Sequence, residues 1–214
     1  MDPRSARNYD LSHFTGGWVM FSSLFAYLGL GMIMVSSMLL LIGQNHRFSM
    51  VLLAVQYLAL FFLIVQVWPL GLAAVKMISG WMGVAILAAT LLPRAASYDL
   101  ETGISSRLFR VLLGVLVWVL FFTIAPFFAR WLPIPYVFLW SGGILLGVGL
   151  LQLGIFHSPL QVIIGLLTVL SGFEILYAAV ENSTLVTVLL TVITLGLAIG
   201  GAYILNPIKT EDKT

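Results

Sequence analysis

Cysteine is absent from this chain, which excludes disulfides, thiolate metal sites and iron–sulfur ligation by its own residues. Charge is scarce as well. Ten basic and eight acidic residues are spread over 214 positions, 8% of the chain against roughly 25% in soluble domains. The net charge of +2 and the lack of a Lys/Arg-rich run argue against a nucleic-acid partner. No dinucleotide-binding glycine pattern and no phosphate loop is present, so no cofactor is expected. His13, His46 and His157 fall in tails or loops, and no His/carboxylate cluster marks a catalytic or metal centre.

What fills the chain instead is apolar. Hydrophobic residues make up 61% of it and the mean hydropathy is +1.09. A soluble chain of this length has no core large enough to hide that surface. The composition predicts an integral membrane protein, with the lipid bilayer as its main solvent.

A spanning helix needs about 20 largely apolar residues, and seven stretches qualify. They run from Gly17 to Gly43, Met50 to Trp68, Leu70 to Leu92, Leu108 to Ala129, Tyr136 to Phe156, Leu160 to Val180 and Leu185 to Leu205. The expected architecture is an all-α, polytopic bundle of about seven transmembrane helices. Residues 1–16 and 206–214 read as polar tails and 93–107 as a polar loop. The first span is too long for a signal-peptide core and lacks a small-x-small cleavage site, so it is expected to stay. Pro126 is expected to kink the last turn of span four. The Trp68-Pro69 link is so short that spans two and three also read as a re-entrant hairpin.

Lysines and arginines outside the spans set the expected orientation. With the N-terminus outside, Arg47, Arg94, Arg107, Arg110, Lys209 and Lys213 lie inside, against Arg4, Arg7 and Arg130 outside. That balance favours an outer N-terminus and a cytoplasmic C-terminus in the cell membrane. Trp18, Trp68, Trp131, Tyr136 and Tyr203 fall near span ends, as interfacial aromatics do. Gly143 with Gly147, and Gly196 with Gly200, form Gly-x-x-x-Gly patterns suited to close helix contact.

Two charges sit inside spans: Lys76 in span three and Glu174 in span six. An ionisable group at membrane depth costs about 2.5–3.5 kcal/mol on insertion scales, so it persists mainly when paired, hydrated or used. Lys76 precedes the middle of its span by about five residues, roughly 7 Å, and Glu174 follows its own by a few residues, a somewhat shorter distance. The two spans run in opposite directions, so both charges fall in the same half of the bilayer and meet if their helices are neighbours. Thr168, Ser171, Glu174 and Glu181 share a face of span six. Thr184, Thr187, Thr191 and Thr194 do the same in span seven, and Gln56, Gln66 and Ser79 extend the polar set.

Such a polar seam suits a proton or ion path. Plainer readings stand beside it. Lys76 snorkels to the interface, Glu174 is neutral and bonded to a threonine, Glu181 is solvated at a helix end, and the threonine hydroxyls are satisfied by the preceding turn.

The stretch Val169 to Ala178 resembles the second helix of subunit K of the proton-pumping NADH–quinone oxidoreductase, complex I, with Gly172 and Glu174 matching its Gly-x-Glu motif. The stretch Leu195 to Ala198 is similar to that family's third helix, with Val192 near the place of its second glutamate. In the N-terminal half, Arg47, Ser49, Ala54, Gln56 and Lys76 resemble component E of hydrogenase-4-type complexes. The resemblance implies a subunit-K-like three-helix module over 136–205. It also implies a non-catalytic membrane subunit beside antiporter-like proteins, with Glu174 in a proton path and Lys76 biasing it. A small stand-alone secondary transporter and a structural or assembly protein are the alternatives. The chain shows no inverted repeat that would favour the transporter.

Overall fold

The computed structural model describes residues 24–43, 45–91, 104–132, 134–181 and 183–205. Among them are seven helices and no strand: α1 (Leu24–Ile42), α2 (His46–Ile64), α3 (Leu70–Leu91), α4 (Ile104–Phe128), α5 (Tyr136–Ile155), α6 (Pro159–Val180) and α7 (Thr184–Leu205). Each is long and apolar enough to cross a membrane. In lipid, where no water can serve the backbone, a helix is the way one segment satisfies all its own N–H and C=O groups. The chain is a multi-pass, all-α membrane protein.

The expected spans hold, with shifted ends. Helix α2 starts at His46 rather than Met50, because Asn45 caps it by accepting the Arg47 backbone N–H at 3.2 Å. It stops at Ile64 rather than Trp68. A turn follows, closed by the Trp68 N–H on the Ile64 carbonyl at 2.8 Å, and Pro69, which has no N–H, leads into α3. Spans two and three are thus two separate full-length helices. Helix α4 begins at Ile104, inside the stretch read as loop, and Pro126 stays within it. Gly17, Trp18, the two tails and most of the 93–107 loop lie outside the described residues.

Helices α5 and α6 pack most extensively, followed by α3 against α7, and α2 lies against both α3 and α6. The α5–α6 contact is backbone on backbone. A Cβ at Gly172 would sit 2.7 Å from the Gly142 carbonyl oxygen and the Leu146 nitrogen, and one at Gly149 would meet the Val169 nitrogen at 2.8 Å. Gly143 and Gly147 instead receive Phe121 and Val117 of α4, whereas Gly196 and Gly200 face open space. The Gly-x-x-x-Gly pattern of α7 therefore packs no helix among the described residues.

Gly172→Ala is expected to force α5 and α6 apart at a cost of about 1–3 kcal/mol, the range for overpacking. Gly196→Ala is expected to be neutral or stabilising by up to ~1 kcal/mol through helix propensity. Thermal unfolding in detergent measures both. Equal effects of the two would sink the assignment of the helix contact to Gly172.

Candidate functional site

Lys76 and Glu174 meet. The Lys76 ammonium lies 2.5 Å from Glu174 Oε1, and both side chains are 2% exposed. Lys76 does not snorkel; its stem runs inward from α3, which packs on α2 and α7, to a carboxylate on α6. The depths expected from helix rise alone are thus compatible with direct contact.

Thr194 of α7 completes the cluster. Its hydroxyl oxygen accepts a hydrogen bond from Lys76 Nζ at 3.0 Å. Its own proton has two acceptors within reach, the Leu190 carbonyl at 2.9 Å and Glu174 Oε1 at 3.4 Å. A hydroxyl has one proton, so it serves one acceptor at a time and the shorter bond holds it. Lys76 is the stronger donor to Glu174.

The second carboxylate oxygen, Oε2, is buried and has no hydrogen-bond partner among the described residues. Glu174 also lines a narrow cavity with Ile64, Trp68, Lys76, Thr187 and Leu190, and this cavity has no room for a water molecule. The Trp68 indole N–H is also buried and unpartnered among the described residues. Trp68, expected at the interface, is 4% exposed and lines this cavity. Trp131 and Tyr203 do lie outside, at 78% and 69% exposure.

The other seam residues divide. Thr168, Ser171, Thr187 and Thr191 each donate to a carbonyl one turn back, at 2.8–3.0 Å, and Gln66 does likewise to Phe62 at 2.8 Å. These hydroxyls satisfy themselves, as the plainer reading has it. Ser171 still lies beside Tyr57 of α2, which is within electrostatic reach of Glu174. The Tyr57 ring crosses α3 where Gly80 leaves room for it, since a Cβ there would overlap the ring. Glu181 is exposed at the α6 C-cap, about 10 Å along the helix from Glu174, and takes no part in the cluster.

Gln56 is fully buried, and neither atom of its amide has a partner among the described residues. Gln152 of α5, not singled out from the sequence, is in the same condition. A buried amide without partners costs roughly 1–3 kcal/mol, so an amide inside a predicted span was the signal for it. Val192, where the resembled family has its second glutamate, is 60% exposed on the outer face of α7.

Among the described residues no three His, Asp or Glu side chains converge as a metal site requires. What the cluster offers is proton chemistry: a carboxylate, an ammonium and a hydroxyl in mutual contact, shut away from water. No protein-family model matches the chain, and no curated protein or solved structure matches it.

Proposed function

We propose that this chain is a non-catalytic membrane subunit of a complex-I-like or hydrogenase-4-like assembly, and that Glu174 and Lys76 take part in moving protons, or another cation, across the membrane. The observation that carries the reading is the buried Lys76–Glu174 ion pair, held by Thr194. Taking two charges out of water costs several kcal/mol per ion, and their attraction offsets this only in good geometry. A chain that needed only stability would do as well with two apolar side chains there. The pair also brings a protonatable acceptor and a positive charge into one cluster. A change in their separation would load or release a proton.

A second reading is favoured by the closed state of the site. With the nearby hydroxyls turned on their own helices, the pair acts as a polar clamp that fixes α3 against α6 and α7. In that case the chain is a structural or assembly subunit.

Proton movement by the intact assembly in sealed vesicles separates the two. Under the transport reading Glu174→Gln slows it by at least about tenfold, ~1.4 kcal/mol in barrier, even where assembly is complete. Unchanged proton movement in both Glu174→Gln and the double variant with Lys76→Met would leave only the clamp.

A further inference from the structure

A second polar cavity lies at the other end of the bundle, where the α1–α2 and α5–α6 links meet. Leu40, Ser49, Gln152, Phe156, Gln161 and Ile164 line it, and it has room for about one water molecule. Three of these are polar, from three helices. Ser49 and Gln152 are 3% and 1% exposed, and both atoms of the Gln152 amide lack a partner among the described residues. Gln161 accepts from Ser158 at 2.8 Å. A dry cavity is normally apolar, whereas one with buried polar atoms to satisfy takes up water.

Helices α2 and α6 lie parallel between the two cavities: Ser49 and Gln161 line the first, Ile64 and Glu174 the second. Seven residues on from the first pair, about 10 Å up each helix, come Gln56 and Thr168, both fully buried. Tyr57 and Ser171 follow, then Glu174. Polar stations therefore recur at matched heights along the α2–α6 seam. Leu53, Ile164 and Leu167, all in the core, fill the level between the water-sized cavity and Gln56. The cavity at Glu174, with Trp68 in its lining, has no room for water. Toward the far side Gln56 and Gln152 stand unpaired among the described residues, while the cavity on the near side has no water-sized space.

We infer that Ser49, Gln152 and Gln161 form a hydrated port through which protons reach Glu174, from the membrane face that carries the α1–α2 and α5–α6 links. In the conformation described, the port has room for water while the turn at Leu53 and Ile164 is packed with core side chains, so the route is closed; wetting that turn connects the port to Gln56. The route rests on the transport reading above, while the hydration of the port is independent of it.

The chain has only five glutamines, Gln44, Gln56, Gln66, Gln152 and Gln161, so side-chain amides labelled with nitrogen-15 are assignable by single substitution. Water-to-amide magnetisation transfer in bilayers is expected to be fast at Gln152 and Gln161 and slow at Gln56. Gln152→Met, which keeps the length but not the hydrogen bonds, should slow the transfer to Gln161 and abolish proton movement by the intact assembly. Gln152→Asn should retain both, and thermal unfolding verifies that each variant is folded. Transfer to Gln152 no faster than to Gln56 overturns the port. So does normal proton movement in Gln152→Met when Glu174→Gln abolishes it, and that outcome leaves the transport reading standing. Proton movement indifferent to Glu174→Gln overturns the transport reading, and the route with it, whatever the water signal.

Discussion

Lys76→Met and Glu174→Gln, made singly, are each expected to lower stability by about 3–5 kcal/mol, the usual cost of orphaning one member of a buried ion pair. Made together they should recover most of that loss. The asymmetry follows from the site. Lys76 and Glu174 are 2% exposed and share a cavity that holds no water. Among the described residues, a charge left alone there has the Thr194 hydroxyl as its hydrogen-bond partner, 3.0 Å from Lys76 Nζ and 3.4 Å from Glu174 Oε1.

The double variant replaces two ions by a thioether and an amide of similar length, so no uncompensated charge remains. Thermal or denaturant unfolding in one detergent, run as a four-member cycle, gives the coupling directly. Singles and double that differ from the parent by the same small amount would mean the pair is solvated and the described contact is wrong. Stability and transport separate here, because a rescued double variant still lacks the carboxylate. If Glu174 carries protons, the folded double variant stays inactive.

That contact was half legible in the chain. Two charges inside apolar runs are conspicuous, and the fixed rise of a helix placed them at similar depth with no knowledge of packing. Which helices touch was not legible. In lipid every face of a spanning helix is apolar, so periodicity does not distinguish a face that meets a neighbour from one that meets acyl chains. Gly196 and Gly200 match the familiar small-residue spacing and face open space. The glycines that set the closest approach recur instead at seven residues, Gly142 with Gly149 and Gly165 with Gly172, a spacing that keeps one stripe in register along both helices.

The threonine stripes show the same limit of spacing read alone. Spacing of three and four puts hydroxyls on one face, but each hydroxyl reaches a carbonyl one turn back at no cost in geometry. Thr194 differs because α3 brings an ammonium to it. Like the hydroxyls, Gln66 turns its amide onto the Phe62 carbonyl, but Gln56 and Gln152, buried in the core, stay unpaired among the described residues while Thr168 and Ser171 do not. Buried glutamine in a span is therefore the better sequence marker of this protein's polar interior.

Exchanging the two charges gives the larger effect and the sharper discrimination. Glu174→Lys alone sets two ammonium groups against each other; at about 4 Å and an effective dielectric near 20 they repel by about 4 kcal/mol, beyond the loss of the pair itself. Lys76→Glu alone does the same with two carboxylates. Little folded protein is expected from either, scored as the monodisperse fraction in size-exclusion chromatography. The double exchange should fold, because the summed length of the two side chains is conserved and Thr194 can still accept from the ammonium, now carried by α6. Its stability is expected within about 2 kcal/mol of the parent, the residue being imperfect repacking.

Transport by the exchanged protein then decides what the pair is for. The carboxylate would leave α6, which with α2 carries the line of stations through Gln56, Tyr57 and Ser171, for α3, which makes its main contacts with α2 and α7. A proton path that runs along the α2–α6 seam is expected to stay lost in a protein that is otherwise well folded and assembled. Full proton movement would show that any carboxylate in the cluster suffices, and that the seam has no part in delivering protons to it.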